Sequence, residues 1–435
     1  MALSSKSAED IVITGVGIIS PIGIGLERFT EQLRAGANGI AKSKFFPGFA
    51  SPDSVTGEVE DFNEETAKKL YLKEVRRSIK LMCRDIQLGV ASALMALTDS
   101  QLDLEKIDHD RMGVEFGANL MLSEPETLAP PAVAMRDVTG EIEFEGWGAA
   151  GYGKMEPLWL LRYLPNMPAC HISIASDARG PSNSLTLDEA SGNVVIGEAV
   201  RIMQRGAADI MITGATGSYS HPLRALHLAL LESLLATTPE APEKRSRPFD
   251  RDRSGFVVAE GAGTLILETR AHAEARGARI YGRILATGSS TCVDTSGVPN
   301  YGAAFEGAMK AALRNGNLEP TDIGHYNAHA AGVGEVDTVE AQAVNKIFGD
   351  YRIPVTAPKS FLGNSSAGSG MVELVTSLAA LRAGFVPKTL NYDTPDPSCD
   401  VAVVTDSGVV PTKKTFASMN VTRKGQAAVV VVEVE

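Results

Sequence analysis

The sequence predicts a layered α/β body made of two similar halves. Three observations carry this expectation. Apolar, glycine-ended strand patterns alternate with amphipathic helical ones along the whole chain. The 435 residues, 44% of them apolar, supply a large core. An internal echo divides that core: Leu97, Leu102 and Ile107 recur as Leu313, Leu318 and Ile323, each displaced by 216 residues and each set joining a helix to a short strand. Arg205-Gly206 has a looser counterpart at Arg382 and Gly384. The halves are placed at 1–268 and 269–435; chance similarity of apolar spacing is the alternative for the echo.

Taken in chain order, Ile11 to Ile19 is the first strand, and the opening Met1 to Asp10 lacks the apolar middle of a secretory signal. Residues 64–98 carry an interrupted helical pattern, and Met112 to Phe116 reads as a strand. The acidic, Pro- and Gly-containing region 122–157 is the least periodic and is expected to be an insertion or cap. A helix at 191–205 precedes strands at Asp209 to Gly214, Gly263 to Glu268 and Ile280 to Ala286. A helix at 300–314, a strand at His325 to Ala328, helices at 335–347 and 369–383, and a strand at Ala427 to Val434 complete the series.

Composition narrows the function. Lys plus Arg number 41 against 53 Asp plus Glu, a net charge of −12, which argues against nucleic acid or an anionic membrane as main partner. No stretch approaches the ~18 apolar residues of a membrane helix, so a cytoplasmic address is expected. Cys83, Cys170, Cys292 and Cys399 lie far apart with no C-x-x-C pair, which indicates neither a disulfide framework nor a zinc site; no metal or cofactor is expected. One segment opposes the acidic balance: Lys68, Lys69, Lys73, Arg76, Arg77, Lys80 and Arg84 face only Glu74 within residues 68–84. It reads either as a solvated helix face or as a dock for an acidic protein.

Three strand-to-turn junctions hold groups capable of chemistry. His329 leaves a strand into the small-residue turn Ala330-Ala331-Gly332, where an imidazole can donate a hydrogen bond or move a proton, or serve structure alone. Lys359-Ser360 leads into the Gly/Ser-rich run Gly363 to Gly370 opening a helix, whose free N–H groups suit an anion or oxyanion. Glu189 stands at or just before the N-terminus of the 191–205 helix, where the dipole favours its ionised form; helix support is the plainer reading.

The chain resembles the β-ketoacyl-acyl carrier protein synthases, thiolase-fold condensing enzymes, and among them the elongating type II ketosynthases. The resemblance rests on Ile13-Thr14-Gly15-Val16-Gly17 with Ser20-Pro21-Ile22-Gly23, Pro165 to Ala169, Arg179-Gly180-Pro181-Ser182, Arg247-Pro248-Phe249-Asp250 through Gly255-Phe256-Val257, Glu260 to Gly263, Asn327-Ala328-His329, Glu340 to Val344, Lys359-Ser360 and Asn391-Tyr392. It implies a duplicated five-layer αβαβα fold, in which a cysteine accepts the acyl chain and two histidines stabilise the enolate of decarboxylated malonyl-carrier protein. Carried over by alignment, His329 is the first histidine, Lys359 the lysine and Glu340 the supporting glutamate. The second histidine is Asn364, and the cysteine position is Glu189. The family's glycine- and phenylalanine-rich gate loop is replaced by Asn420-Val421-Thr422-Arg423-Lys424-Gly425-Gln426.

A carboxylate is a poor acyl acceptor beside a thiolate, so ordinary condensation is not expected. Cys170, 19 residues upstream on the strand side of the Gly-Pro-Ser turn, is no substitute, and Ser191 has no evident base. Two readings follow. In one, the chain is a non-elongating, chain-length-factor-like partner of an active ketosynthase. In the other, Glu189 and His329 serve malonyl-carrier-protein decarboxylation or a related acyl transfer. The resemblance also implies a dimer, of two copies or with a cysteine-containing ketosynthase. It further implies an acyl carrier protein docking at Lys68, Lys69, Lys73, Arg76 and Arg77.

Overall fold

In the computed structural model of the chain, residues 6–44, 55–137, 140–230, 235–236, 241–406 and 408–435 are described. Residues 1–5 of the opening segment and 138–139 of the 122–157 region lie outside them. Ten strands carry the architecture: β1 (Ile11–Ser20), β2 (Met112–Ala118), β3 (Ser182–Leu185), β4 (Ile210–Ser218), β5 (Val258–Thr269), β6 (Gly282–Thr291), β7 (His325–Asn327), β8 (Pro354–Thr356), β9 (Thr415–Val421) and β10 (Gln426–Val434).

The first five strands order as β3-β2-β4-β5-β1 and the second five as β8-β7-β9-β10-β6. The pairing is the same in both: parallel, parallel, antiparallel, antiparallel along each order. The duplication read from the leucine echo is therefore a duplication of topology. The sheets meet through a short antiparallel contact, Val12 opposite Arg283 and Ile13 opposite Gly282.

Six long helices complete five layers: α1 (Arg84–Ser100), α2 (Met167–Ser176), α3 (Ser191–Gln204), α4 (Tyr301–Gly316), α5 (Gly334–Phe348) and α6 (Ser369–Arg382). Helices α1 and α2 cover the outer face of the first sheet, α4 with α5 beside it covers the second, and α3 and α6 lie between the sheets. Three apolar clusters fill the spaces between the layers: one surrounds the middle helices on both sides, and one lies under the outer helices of each sheet. Helix α6 is buried from Ser369 through Leu381, which explains its nearly unbroken run of small and apolar residues. Among the described residues no helix is long and apolar enough to cross a membrane.

The 64–98 pattern is interrupted as expected: only Arg84 onward is a continuous helix, and before it stand one α-turn (Glu64–Thr66), a wide turn (Ala67–Tyr71) and a short 3₁₀ turn (Ile79–Leu81). Leu72, Ile79 and Met82 are drawn into the core there, and the spacing that buries them is not that of one helix face. Cys170 lies on α2, not on a strand. The 122–157 region is irregular as expected: a helix Pro125–Ala134 holding Pro130 and Pro131, then single turns.

The duplication extends to close contacts. A Cβ on Gly17 of β1 would lie 1.9 Å from the Ser92 carbonyl oxygen, and one on Gly288 of β6 would lie 2.1 Å from that of Ala308. Ser92 and Ala308 are again 216 residues apart. Each half presses its outer helix onto a strand that has no side chain at that point. Gly288→Ala is expected to destabilise the protein by about 1–3 kcal/mol through overpacking, read as a lowered denaturant midpoint. Gly334→Ala, with open space around it, should stay within about 0.5 kcal/mol.

Candidate active site

The two buried middle helices start alike. Each follows a 3₁₀ turn, Asp188–Ala190 before α3 and Ser366–Gly368 before α6. Each turn opens on a non-glycine residue at positive φ, Asp188 at 40° and Ser366 at 53°. Such backbone is strained and persists where the surroundings impose it. These turns, the loop after β7 and the end of β9 converge where the halves adjoin.

Glu189 sits in the first turn, 3% exposed. Its Oε1 accepts from the Tyr219 hydroxyl at 3.2 Å and from Asn364 Nδ2 at 3.1 Å. Asn364 Oδ1 in turn accepts from the Ser366 N–H (2.9 Å) and the Ser369 hydroxyl (3.2 Å), which fixes the amide with its nitrogen toward Glu189. Burial, followed by the neighbouring Asp188 charge, pushes the Glu189 carboxyl above its ordinary range. Desolvation therefore works against the ionised form that the helix terminus would favour. Burial, and then the Glu189 charge, holds Tyr219 as the phenol.

His329 lies across the site on the loop after β7, 6% exposed. Its Nδ1 is 3.3 Å from Asn420 Oδ1 and 3.4 Å from the Val421 N–H, and it belongs to a neutral ring, because burial and then the Lys359 charge press its pKa well below the usual histidine value. Lys359, fully buried, donates to the His329 carbonyl at 2.7 Å and to Asn420 Oδ1 at 3.2 Å, and pairs with Glu373 Oε1 at 2.7 Å. Asn420 Nδ2 closes the ring on Glu373 Oε2 at 3.1 Å. Glu373, on α6, was not singled out from the sequence. Its only signal was an acid in an otherwise apolar helix.

Glu340 stands one step back. Its two oxygens accept the backbone N–H groups of His329 and Ala330, both at 2.8 Å, and Oε1 also accepts the Tyr326 hydroxyl at 2.9 Å. It shapes the histidine loop, and Lys359 takes Glu373, not Glu340, as its ion partner. Asn193 of α3 donates to the carbonyls of Ser418 and Ala428 at 3.0 and 2.9 Å, tying the first half's middle helix to the second sheet.

Other candidates resolve differently. The Gly/Ser run offers no free cradle of N–H groups: those of Asn364, Ser365, Ser366, Ala367 and Gly368 donate respectively to Val257 O, Ser369 Oγ, Asn364 Oδ1, Asn119 Oδ1 and Ser365 O. Ser191 Oγ accepts the Leu187 N–H and acts as a turn brace. The thiols stand elsewhere: Cys83 against Met121, Cys170 against Asn166, Cys292 against Ser290, and Cys399 against Thr338 and Ser398. The gate-loop substitute is a hairpin: Asn420 and Val421 end β9, and Gln426 begins β10. Lys68 and Lys69 are spanned by exposed ion pairs to Glu64 and Glu65. Arg76, Arg77 and Lys80 line a cleft of about 570 Å³ with Arg84 and Arg162.

Comparison with known proteins places the chain. Residues 8–273 match the β-ketoacyl synthase N-terminal domain and residues 281–393 the C-terminal domain. The 3-oxoacyl-[acyl-carrier-protein] synthase 2 of Coxiella burnetii (strain RSA 493 / Nine Mile phase I) is 32% identical over 397 residues, 91% of each chain. That of Synechocystis sp. (strain ATCC 27184 / PCC 6803 / Kazusa) is 32% identical over 411 residues, 92% of each. Among solved structures, an ishigamide ketosynthase/chain length factor superposes with TM-score 0.83 at 25% identity, covering 99% of this chain and 100% of that one. A β-ketoacyl synthase from Burkholderia phymatum STM815 does so at 0.83 and 23% identity, covering 98% and 100%. These similarities agree with the five-layer thiolase-like fold described above.

Lys359→Met leaves the Glu373 carboxylate buried without its cation and is expected to cost about 3–5 kcal/mol. The double variant Lys359→Met/Glu373→Leu should recover a large part, giving a strong coupling energy in a denaturation double-mutant cycle.

Proposed function

The chain belongs to the β-ketoacyl synthase family, and on that premise we propose that it is a non-elongating member, a chain-length-factor-like partner of an active ketosynthase in fatty acid or polyketide synthesis. One observation carries the reading. At the start of α3, where alignment expects the acyl-accepting cysteine, a buried carboxyl group is locked to Tyr219 and Asn364. A carboxyl group is a poor acyl acceptor beside a thiolate, and an acyl anhydride formed from it would hydrolyse instead of awaiting a carbanion. The amide that replaces the second histidine is turned onto Glu189, which weakens the decarboxylation reading by engaging its substitute donor.

The partner role fits the surface. Strand β3 is the terminal strand of its sheet, and its outer edge offers a template for pairing with another subunit. Ile174 on the neighbouring α2 is 76% exposed. We assign the dimer partner as a cysteine-containing ketosynthase and the site of action as the cytoplasm. An acyl carrier protein, named as the substrate carrier of the 3-oxoacyl synthase relatives, is assigned to Lys68, Lys69, Lys73, Arg76 and Arg77. The ion pairs of Lys68 and Lys69 are solvent-exposed and cheap to exchange.

The test is incubation of malonyl- and acyl-carrier protein with the chain alone and with a cysteine-containing ketosynthase from the same source, followed by mass measurement. Condensation only in the mixture is the expected result. Carbon dioxide and acetyl-carrier protein from the lone chain would establish decarboxylation instead, and a covalent acyl adduct on this chain would overturn both. Separately, Arg76→Glu/Arg77→Glu should weaken carrier-protein binding about tenfold at low salt; unchanged affinity would remove the dock from this segment.

A further inference from the structure

Strand β2 carries an acid that its own sheet does not use. Val114 and Phe116 belong to the apolar cluster under α1, so Glu115 between them points to the opposite face, against α3. It is 2% exposed, and its Oε2 meets no hydrogen-bonding group. Register gives it two neighbours on that face: Thr213 of β4, fully buried with an unpartnered Oγ1, and Asn183 of the edge strand β3, which is exposed. Asn183, Glu115 and Thr213 thus form one row across three strands, running inward from the open edge. Among the described residues no cation pairs with Glu115. Burial, followed by the Glu198 charge, pushes its carboxyl up to about 7, while Arg205 pulls the other way. These two charges come from α3 and its C-terminal end, where Arg201 is paired with Glu198; the row neighbours on β3 and β4 carry none.

An inward-pointing acid beside an open edge works against strand pairing, because a subunit that seals the edge strips the carboxylate of its remaining solvent and must return a partner for it. Neighbouring strands lie about 4.8 Å apart, so a residue facing Asn183 across the edge would stand about 10 Å from Glu115. A Lys or Arg side chain lying over Asn183 spans that gap with a charge. A second copy has none to give: its β3 reads Ser182-Asn183-Ser184-Leu185, and Arg179 just before it grips Asp177 of its own chain at 3.0 and 2.6 Å. We propose that Glu115 selects the partner at the β3 edge, rejecting a second copy of this chain and accepting a ketosynthase whose facing strand brings a Lys or Arg to the carboxylate. Such specificity joins a repulsive element against the wrong pairing to an attractive one for the right pairing. The inference rests on the partner reading and adds to it one residue and one charge.

The experiment is sedimentation velocity on the full chain at pH 8, wild type against Glu115→Gln and Thr213→Val, alone and with a cysteine-containing ketosynthase from the same source. Alone, Glu115→Gln should self-associate about tenfold more tightly than wild type, and Thr213→Val, which keeps the charge, should behave as wild type. Glu115 takes up its proton as pH falls through about 7, so wild type should gain self-association at pH 6 and the Gln variant should not. With the ketosynthase at pH 8, the Gln variant should bind about tenfold more weakly than wild type. Equal self-association of wild type and Glu115→Gln, or a gain in Thr213→Val as large as in the Gln variant, would overturn the inference. Should Glu115→Gln not fold, the wild-type comparison between pH 8 and pH 6 decides, and no change there overturns it. Equal ketosynthase binding by the two forms would sink this inference alone. A chain that binds no ketosynthase in either form would remove the partner reading and this inference with it.

Discussion

The buried ion pair between Lys359 and Glu373 is the constraint around which the site is assembled. Neither charge reaches solvent, so each must find its remaining partners inside the protein. Lys359 finds them in the His329 carbonyl and Asn420, and Glu373 in the Asn420 amide. Four segments distant in sequence are therefore held at one point: the loop after β7, the turn after β8, the first turns of α6 and the end of β9. The histidine loop gains a second anchor from Glu340. His329 is thus positioned by backbone contacts before any ligand arrives, and low-dielectric surroundings keep its ring uncharged.

The first half contributes to this point by repeating the second half's construction. Both middle helices spring from a strained 3₁₀ turn, and both outer helices close onto a glycine in a strand. The chemistry of the two turns differs. One presents Glu189, while the other is preceded by Asn364, and the two side chains meet across the pseudo-symmetric junction at 3.1 Å. A duplicated scaffold thereby brings two unlike groups into contact without either half having to change its topology.

Burial disfavours the charged form of any acidic group at this turn, a carboxyl as much as a thiol. At an exposed helix start the dipole would favour Glu189 as an anion; enclosed between the layers, its carboxyl is pushed above the ordinary range by burial and is hydrogen-bonded through one oxygen.

The sequence by itself determined the α/β layering, the internal duplication and seven of the strands, from Ile11 to Val434, but not those at Pro354–Thr356 and Thr415–Val421. Apolar period made these legible because it is a local property of the chain, whereas Glu189, His329, Lys359 and Asn364 came together as site residues only through the family resemblance carried by the motifs. Tertiary structure alone decided the desolvation of Glu189, the pairing of Lys359 with Glu373, and the internal commitment of the Gly/Ser-run N–H groups. It also decided where the helix of residues 64–98 truly begins. Each of these depends on burial and on neighbours contributed by the other half, and desolvation is a property of the enclosed site that no stretch of sequence carries alone.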